Sequence, residues 1–525
     1  MQTKTFQNPL FLALAAAFLL SLAWYFPFGC FTLFVAFLPL FRIVENAKKT
    51  YLFIYLSLFL WNLATTWWVW NASVGGAIAM LFANTLLMTL PWIVYVFLKN
   101  KIPSKLSKYF LVTAWILFEY GHLNWELSWS WLNLGNGFAY THVLVQWYEY
   151  TGVLGGTLWV LLVNVFLYDF IIEKSRKKLI LALISLLLPI ICSLLIYFSY
   201  QEKGENLEIV VVQPNIDPYT EKFVGTENFI PYDKQASLFL ELAGKQVTST
   251  TKLVVFPETA FDEGYDEKNI QNYAPIRIIR DFLKNNPQMY ILAGTTSWEI
   301  YGKEKKTFTA RHNEQIGYYD VFNTAMFLGA KVDSIAFYHK SKLVPIVESM
   351  PYPSVIEALL GSVIIDLGGT SGGLGQQKER EVFFAEKYAF APIICYESIY
   401  GEYVTEYVRK GANILCIITN DGWWGDTPGY RQHWQMAKLR AIETRRAVSR
   451  SANTGISGFI DQKGDVIGQT PYWVKDVRRQ NLAANNEKTF YVLFGDWVGK
   501  LASIGFVFLF FFSIFKKVKQ AKNLL

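Results

Sequence analysis

The chain is 525 residues long, 52% hydrophobic and 17% aromatic, with only 17% charged residues. That balance is too apolar for an ordinary soluble protein and fits a membrane protein carrying one large polar insert. The net charge of +7 reads mostly as a topology signal and gives a nucleic-acid partner no support, and four cysteines do not make a disulfide framework at this length.

Seven apolar stretches crowd the first 200 residues, at about 9–26, 28–41, 51–69, 75–98, 109–120, 154–172 and 179–200, and an eighth runs over 498–515. A spanning helix needs about 20 apolar residues, so the second and fifth are short and read as tilted, broken or imperfectly bounded. No small-residue cleavage site follows the first, and Tyr25-Phe26-Pro27-Phe28 is bulky, so it reads as a span and not as a cleaved signal peptide. Lys and Arg near span ends stay on the cytoplasmic side. Lys4, then Arg42, Lys48 and Lys49, then Lys99, Lys101, Lys105 and Lys108, then Lys174, Arg176, Lys177 and Lys178 fill every second gap, and Lys516, Lys517, Lys519 and Lys522 follow the last span. The intervening gaps, including 121–150, carry no Lys or Arg. Both termini are therefore predicted inside. The expected architecture is a polytopic α-helical membrane protein with about eight transmembrane helices: a seven-span domain over 1–200, an extracytoplasmic domain over 201–497, and a helix with a basic tail over 498–525. Cys30 and Cys192 fall in apolar stretches and read as buried packing residues.

In the polar insert, strand and helix signals alternate. The runs 207–213, 253–256, 289–293, 391–394 and 414–418 are short and β-rich, and most stop at Pro, Gly, Asn or Asp. Between them 232–242, 275–283 and 401–409 read as helices. The segment 431–450 reads as the clearest helix, with Trp434, Ala437, Ala441 and Val448 near helical spacing and several Arg on other faces. This predicts a layered α/β domain, whose crossover helices bring strand C-termini and their reactive groups to one edge. Phe256-Pro257-Glu258, Tyr338-His339-Lys340 and Cys395-Tyr396-Glu397 place a carboxylate, an ammonium and a thiol where buried strands would end. A thiol beside a fixed base is a nucleophile. Singly, each has an ordinary reading: a thiol behind an apolar strand is usually inert packing, a Glu after Pro caps a helix, and a lysine pairs with a surface acid. An oxidising compartment would also permit Cys395 to pair with Cys416, which would silence the thiol, although the spacing does not demand it.

These residues resemble the carbon-nitrogen hydrolase, or nitrilase, superfamily, and with seven spans before and one after they resemble its membrane-embedded branch, the apolipoprotein N-acyltransferases. The resemblance covers nearly the whole chain. It rests on Phe256-Pro257-Glu258, on the run from Tyr338-His339-Lys340 to Pro345 with Glu348, on Cys395-Tyr396-Glu397, and on Asn420-Asp421-Gly422-Trp423-Trp424-Gly425 with Gln432-His433-Trp434-Gln435. Ser130-Trp131-Leu132 and Gly135 add a match that soluble nitrilases lack.

The resemblance implies an αββα sandwich with a Glu258–Lys340–Cys395 triad, no metal and no cofactor. It implies ping-pong acyl transfer at the periplasmic side of a bacterial inner membrane. Glu258 takes the thiol proton, and Cys395 forms a thioester with an acyl group of a phospholipid donor. The α-amine of a diacylglyceryl apolipoprotein then accepts that group, while Lys340 and the N–H after Cys395 stabilise the oxyanion. Supporting or substrate-binding places are implied for Glu348, Tyr396, Glu397, Trp131, Phe223 and Asn323, with Glu348 and Glu397 expected to orient Lys340 and tune Glu258. One copy suffices, so a monomer is expected. Two positions depart from the family pattern: Ile346-Val347 stands in place of Phe-Gly, and Phe223 in place of a tryptophan. A loop built for Gly takes Val only along a different backbone path.

Two other readings stay open, a membrane-tethered amidase whose acyl-enzyme passes to water and a catalytically silent lipoprotein-binding scaffold. Trp125, Trp129, Trp131, Tyr140, Trp147 and Tyr148 read either as an interfacial belt or as a wall along the route from lipid to thiol. The glycine-rich run 368–375 lacks the Gly-Lys-Ser/Thr ending of a phosphate cradle and reads as a mobile loop near the site. His433 reads as a packed or hydrogen-bonded helix residue.

Overall fold

The computed structural model describes residues 8–101, 104–331, 334–352 and 373–522, with the side chains of 104, 105 and 514–522 left aside. Lys4, the Lys105 side chain, those of the basic tail and residues 368–372 of the glycine-rich run thus lie outside the described residues. The chain divides into two compact units, one comprising Met1–Trp70, Val74–Ser199 and Phe494–Leu525, the other Asn71–Ser73 and Tyr200–Leu493.

The first unit is helical. Gly29–Asn46, Val74–Leu98, Tyr148–Glu173 and Arg176–Ser199 are long and apolar enough to cross a membrane, and shorter apolar helices occupy Pro9–Trp24, Thr50–Thr66 and Trp497–Ser513. The second apolar stretch is broken: a 3-10 turn at Gly29–Thr32 leads into Leu33–Ala36 and Leu38–Asn46. Pro39, which has no N–H to give, sits in the first turn of the last piece, where none is required. The fifth stretch extends beyond its apolar centre into the 21-residue helix Ser104–Asn124. Lys99 Nζ donates to the Val44 carbonyl at 2.9 Å, and Lys108 and Lys178 both hold Asp169, at 2.8 and 2.9 Å. Three cation-bearing regions of the sequence therefore meet.

The segment before Tyr148 is not a simple outward loop. Ser130–Leu132 and Leu134–Val145 form 3-10 turns that are buried almost throughout. Glu119 ties them down, accepting from Trp115 Nε1 at 2.8 Å and from the Leu134 N–H at 2.9 Å, so an acid within a helical unit has its bonds made. Trp131 lies between the rings of Trp68 and Trp129, at 4.8 and 5.7 Å. Trp131 and Tyr148 are core residues of this unit, not members of an outward belt, whereas Trp125, Trp129, Tyr140 and Trp147 are half-buried. Cys30 is buried, but Cys192 is exposed, contrary to its reading as packing. Its helix buries only Ala182 and Ser193, so most of that apolar surface faces outward.

The second unit holds fourteen strands among the described residues: β1 Glu205–Gln213, β2 Thr251–Val255, β3 Phe261–Asp266, β4 Tyr290–Gly302, β5 Arg311–Asn313, β6 Gly317–Gly329, β7 Ala336–His339, β8 Phe383–Ala385, β9 Tyr388–Ile394, β10 Ile414–Thr419, β11 Ala447–Ala452, β12 Gly458–Ile460, β13 Val466–Gln469 and β14 Asp476–Ala484. One sheet runs β14-β1-β2-β4-β6-β5, with β3 on β4 and β7 on β6, and the other runs β13-β12-β11-β10-β9-β8. Each has a parallel centre, β1-β2-β4 and β9-β10-β11. The sheets face each other, and Ser451 Oγ on β11 donates to the Val212 carbonyl on β1 at 2.7 Å. β10 is apolar along its length because both its faces are covered, and all six residues are buried.

Tyr232–Gly244 and Ala274–Lys284 pack on the first sheet. The latter buries Pro275, Ile276, Ile279 and Leu283, the stripe a helix of 3.6-residue period presents, in one core with Val210, Val254 and Ile291. Gly401–Arg409 and Pro428–Thr444 accompany the second sheet. The helix read over 431–450 is corrected. It stops at Thr444, where Arg445 turns to a left-handed φ of +50°, and Val448 belongs to β11. Of the arginines in that segment, Arg431 is exposed, whereas Arg440, Arg445, Arg446 and Arg450 are buried. Arg440 pairs with Glu443 through two bonds of 2.7 Å and donates to the Ser398 and Ile399 carbonyls.

Removing one member of a buried ion pair strands the other. Glu443→Ala is expected to destabilise the second unit by about 3–5 kcal/mol, read as a lowered unfolding midpoint of the full chain in detergent.

Candidate active site

Glu258 follows β2 in a turn that continues the pairing of β2 with β4: Phe256 donates to the Leu292 carbonyl at 2.9 Å, and Gly294 to that of Pro257 at 3.0 Å. The approach is so close that a Cβ on Gly294 would lie 2.5 Å from Glu258 Cα and from the Thr259 nitrogen. Glu258 Oε1 accepts from Asn323 Nδ2 at 2.8 Å and from Lys340 Nζ at 3.2 Å, and Oε2 accepts from the Asn420 N–H at 3.0 Å. Lys340, 1% exposed, also bonds Glu348 Oε1 at 2.8 Å. Asn323 reaches the same Glu348 oxygen at 3.3 Å, and the Val344 N–H holds Oε2 at 2.8 Å. Burial alone would discharge Lys340, but Glu258, Glu348 and Cys395 outweigh it and hold its pKa well above the usual lysine range.

Cys395 follows β9 and is half-buried at a left-handed φ of +49°. Burial and the Glu258 charge push its pKa well above that of an ordinary thiol, against the pull of Lys340 and a bond from Thr419. The resting group is therefore a thiol that needs a base. Of the carboxylates that act on it, Glu258 has the larger effect and Asp421 the smaller, and the cation is Lys340.

Glu397 is fully buried but does not face the Lys340 ammonium, which corrects the expectation that it orients that group directly. It braces the backbone on both sides. Oε1 accepts from the Ser341 and Lys342 N–H groups, at 2.8 and 3.3 Å, and Oε2 accepts from Ile394 at 2.9 Å. Tyr338, Tyr403 and Tyr407 also donate to it. Burial first, then the Glu397 charge, raises the pKa of all three tyrosines, so they remain donors.

Tyr396 is buried edge-on against Tyr400, 5.3 Å between rings. Phe223 stacks on Trp423 at 5.9 Å. Beside it Lys222 is buried, with its ammonium bonded to the Thr259 hydroxyl and close to the Glu258 carbonyl. Burial lowers its pKa to about 8. Trp131 belongs to the helical unit described above. Ile346, in the departing loop, takes a φ of +72°, an uncommon state for a β-branched residue. Its N–H bonds the Ser349 carbonyl at 2.7 Å. The described end of the glycine-rich run sits beside Glu348, with Leu374 donating to the Glu348 carbonyl at 3.0 Å. Cys395 and Cys416 are both free thiols.

Sequence reasoning did not single out Thr419, Lys222 or Arg450. The last carried a signal, since an arginine inside a strand of otherwise buried residues must have a buried partner. That partner is Asp421, at 2.6 Å.

The sequence profile of the carbon-nitrogen hydrolases matches residues 211–485, more than half of the chain and the whole of this site. The chain belongs to the carbon-nitrogen hydrolase family. A second profile, the apolipoprotein N-acyltransferase N-terminal domain, matches residues 16–166. Among relatives of this family member, the apolipoprotein N-acyltransferase of Chlorobaculum tepidum is 27% identical over 484 residues, covering 88% of each chain. That of Thermotoga maritima is 25% identical over 425 residues, covering 79% of this chain and 73% of the other. Apolipoprotein N-acyltransferase 1 of Treponema denticola is 25% identical over 546 residues, covering 95% and 93%.

Gly294→Ala must push the Glu258 backbone away, and a displacement near 1 Å costs about 100-fold in rate; thiol-dependent turnover is expected to fall by at least about 10-fold while the protein still purifies folded. Asp421 carries a pH signature. Although burial opposes its charge, Arg450 and His433 lower its pKa from 3.8 to about 2. The unfolded chain thus binds this proton first as acid is added. Its contribution, about 2 kcal/mol, is complete above about pH 4 and is lost as pH falls from about 4 through about 2. Asp421→Asn should remove that part of the acid slope in equilibrium unfolding.

Proposed function

We propose that the protein is a phospholipid:apolipoprotein N-acyltransferase working through a thioester on Cys395. The observation that carries this reading is the Glu258–Lys340 bond of 3.2 Å beside the half-buried Cys395 thiol at the end of β9. Glu258 takes the thiol proton as sulfur attacks the ester carbonyl of a phospholipid. Lys340 and the Tyr396 N–H stabilise the oxyanion, an arrangement worth most where water is excluded. The proton passes from Glu258 to the departing glycerol oxygen, and lysophospholipid leaves. Glu258 then deprotonates the α-amine of a lipidated N-terminal cysteine, the amine attacks the thioester, and the amide forms as the Cys395 thiol is restored. Ester to thioester is near balance and amide formation runs downhill, so the donor lipid drives the cycle.

The names of the relatives support a transferase over a hydrolase, and the long apolar helices support a lipid donor. In this reading Asn323 and Glu348 position Glu258 and Lys340, Tyr396 and Glu397 set the backbone around them, Phe223 serves substrate binding, and Trp131 supports the core of the helical unit. The protein is a monomer crossing a bacterial inner membrane about eight times, with both termini inside and 201–497 on the periplasmic side. The alternation of Lys- and Arg-bearing gaps supports that placement.

Incubation with acyl-labelled phospholipid is expected to leave label on Cys395 that persists until a lipopeptide amine arrives. Immediate release of free fatty acid would instead mark a hydrolase, and absence of label a binding scaffold. Glu258→Gln should form no thioester. Labelling at the wild-type rate in that variant would remove Glu258 from the role of base.

A further inference from the structure

Behind Cys395 lies a set of buried polar groups that the cycle above does not use. The Ser398 hydroxyl donates to the Cys395 carbonyl at 2.7 Å and meets His433 Nε2 at 2.8 Å, which is itself 3.3 Å from that carbonyl. Across the imidazole, Nδ1 lies 2.9 Å from Arg450 Nη2 and 3.1 Å from Asp421 Oδ1. Asp421 is held by Arg450 at 2.6 Å and by Thr419 at 2.7 Å. Ser398, Asp421, His433 and Arg450 are each at most 2% exposed. Nδ1 thus faces both a donor, Arg450, and an acceptor, Asp421. Because Nε2 faces two oxygens and the Ser398 hydroxyl spends its proton on the Cys395 carbonyl, the ring proton is assigned to Nε2, with Nδ1 accepting from the nearer Arg450.

The peptide joining Cys395 to Tyr396 is trans and planar, so its carbonyl oxygen and the Tyr396 N–H point in opposite directions. Whatever holds the oxygen aims the N–H. The need for a hold is visible in Cys395 itself, because a left-handed residue with a side chain persists only where its surroundings over-determine it. We propose that His433 and Ser398 form a positioning device for the oxyanion site: gripping the Cys395 carbonyl from behind, they aim the Tyr396 N–H at the oxygen that becomes negative during acylation. Arg450, anchored by Asp421, donates to Nδ1 and keeps the ring in the tautomer that donates from Nε2. Donation into the carbonyl also polarises the peptide and makes its N–H a stronger donor. The inference rests on the acyl-transfer reading, in which that N–H contacts the substrate. His433 and Ser398 are positioning residues and touch no reacting atom.

The test follows thioester formation on the full chain in detergent, with labelled phospholipid over a range of concentrations. It compares wild type, His433→Ala, Ser398→Ala, their double variant, His433→Gln and Cys395→Ala. The maximal acylation rate is expected to fall about 10- to 100-fold in either single alanine variant, with the donor KM unchanged. The double variant should be no slower than the worse single one, since both act through one carbonyl. His433→Gln, whose amide still donates toward Ser398, should recover most of the rate. Wild-type rates in both alanine variants overturn the proposal, as does a loss in His433→Ala that Gln does not recover and Ser398→Ala does not share. If His433→Ala fails to fold, Ser398→Ala, which removes a single oxygen, decides alone. Label persisting in Cys395→Ala would sink the acyl-transfer reading itself. Label lost in that variant, with the others at wild-type rate, would sink only the positioning role.

Discussion

The second unit is organised around one buried ammonium. Lys340 lies between Glu258 and Glu348 with almost no contact with solvent, and each partner would be costly to bury alone. Together they bring a net charge of −1 to the site; burial first, and then the Glu258 charge, keep the proton on the nearby thiol. Moving that proton from Cys395 to Glu258 relocates the negative charge over a short distance without changing the total. The site therefore never has to create a second buried anion, and the penalty that makes a thiolate unfavourable at rest is largely offset when the carboxylate beside it is neutralised.

Two nearby carboxylates divide the remaining work. Glu348 meets the ammonium and shares Asn323 with Glu258, so it belongs to the charge balance. Glu397 spends its bonds on backbone N–H groups and tyrosines. It joins the loop after β7 to the end of β9, the two strands that deliver Lys340 and Cys395. An acid fixed by several donors gives register between chain segments far apart in sequence, and that register sets the distance between ammonium and thiol. The short motif Cys395-Tyr396-Glu397 thus combines a nucleophile with the brace that locates it.

Of the parallel centres, β1, β2, β4, β9 and β10 were legible, because strands covered on both faces are continuous apolar runs and stop at turn residues. Glu258 and Cys395 followed from those stops, and Lys340 from the Tyr338-His339-Lys340 motif. What escaped depended on partners distant in the chain. The helix over 431–450 was extended through β11 because Val448 keeps the helical period, and only the left-handed turn at Arg445 ends it. The burial of Arg440 and Arg450 depends on Glu443 and Asp421, and spacing along the chain does not show those pairs. Glu397 looked like a partner for Lys340 because residue type shows charge but not direction. Cys192 looked buried because apolar sequence does not distinguish a helix packed in protein from one facing outward. Strands β3, β5, β12 and β13 are short or polar enough that pairing, not composition, defines them.

In the proposed cycle the acyl-enzyme has the same charge as the free enzyme. Once Glu258 has given its proton to the departing alcohol, Lys340 again stands between two carboxylates and the sulfur is a neutral thioester. The next reactant to enter meets a net negative site with a free base. A water molecule gains little from that field, whereas an amine arriving as its ammonium form is attracted by the charge, gives its first proton through Glu258 to solvent, and on attacking gives a second to Glu258, which returns it to the departing sulfur. The Glu258 charge that adds to burial in holding the resting thiol protonated therefore also favours aminolysis over hydrolysis. Selectivity for transfer then follows from the arithmetic of three buried charges together with the exclusion of water.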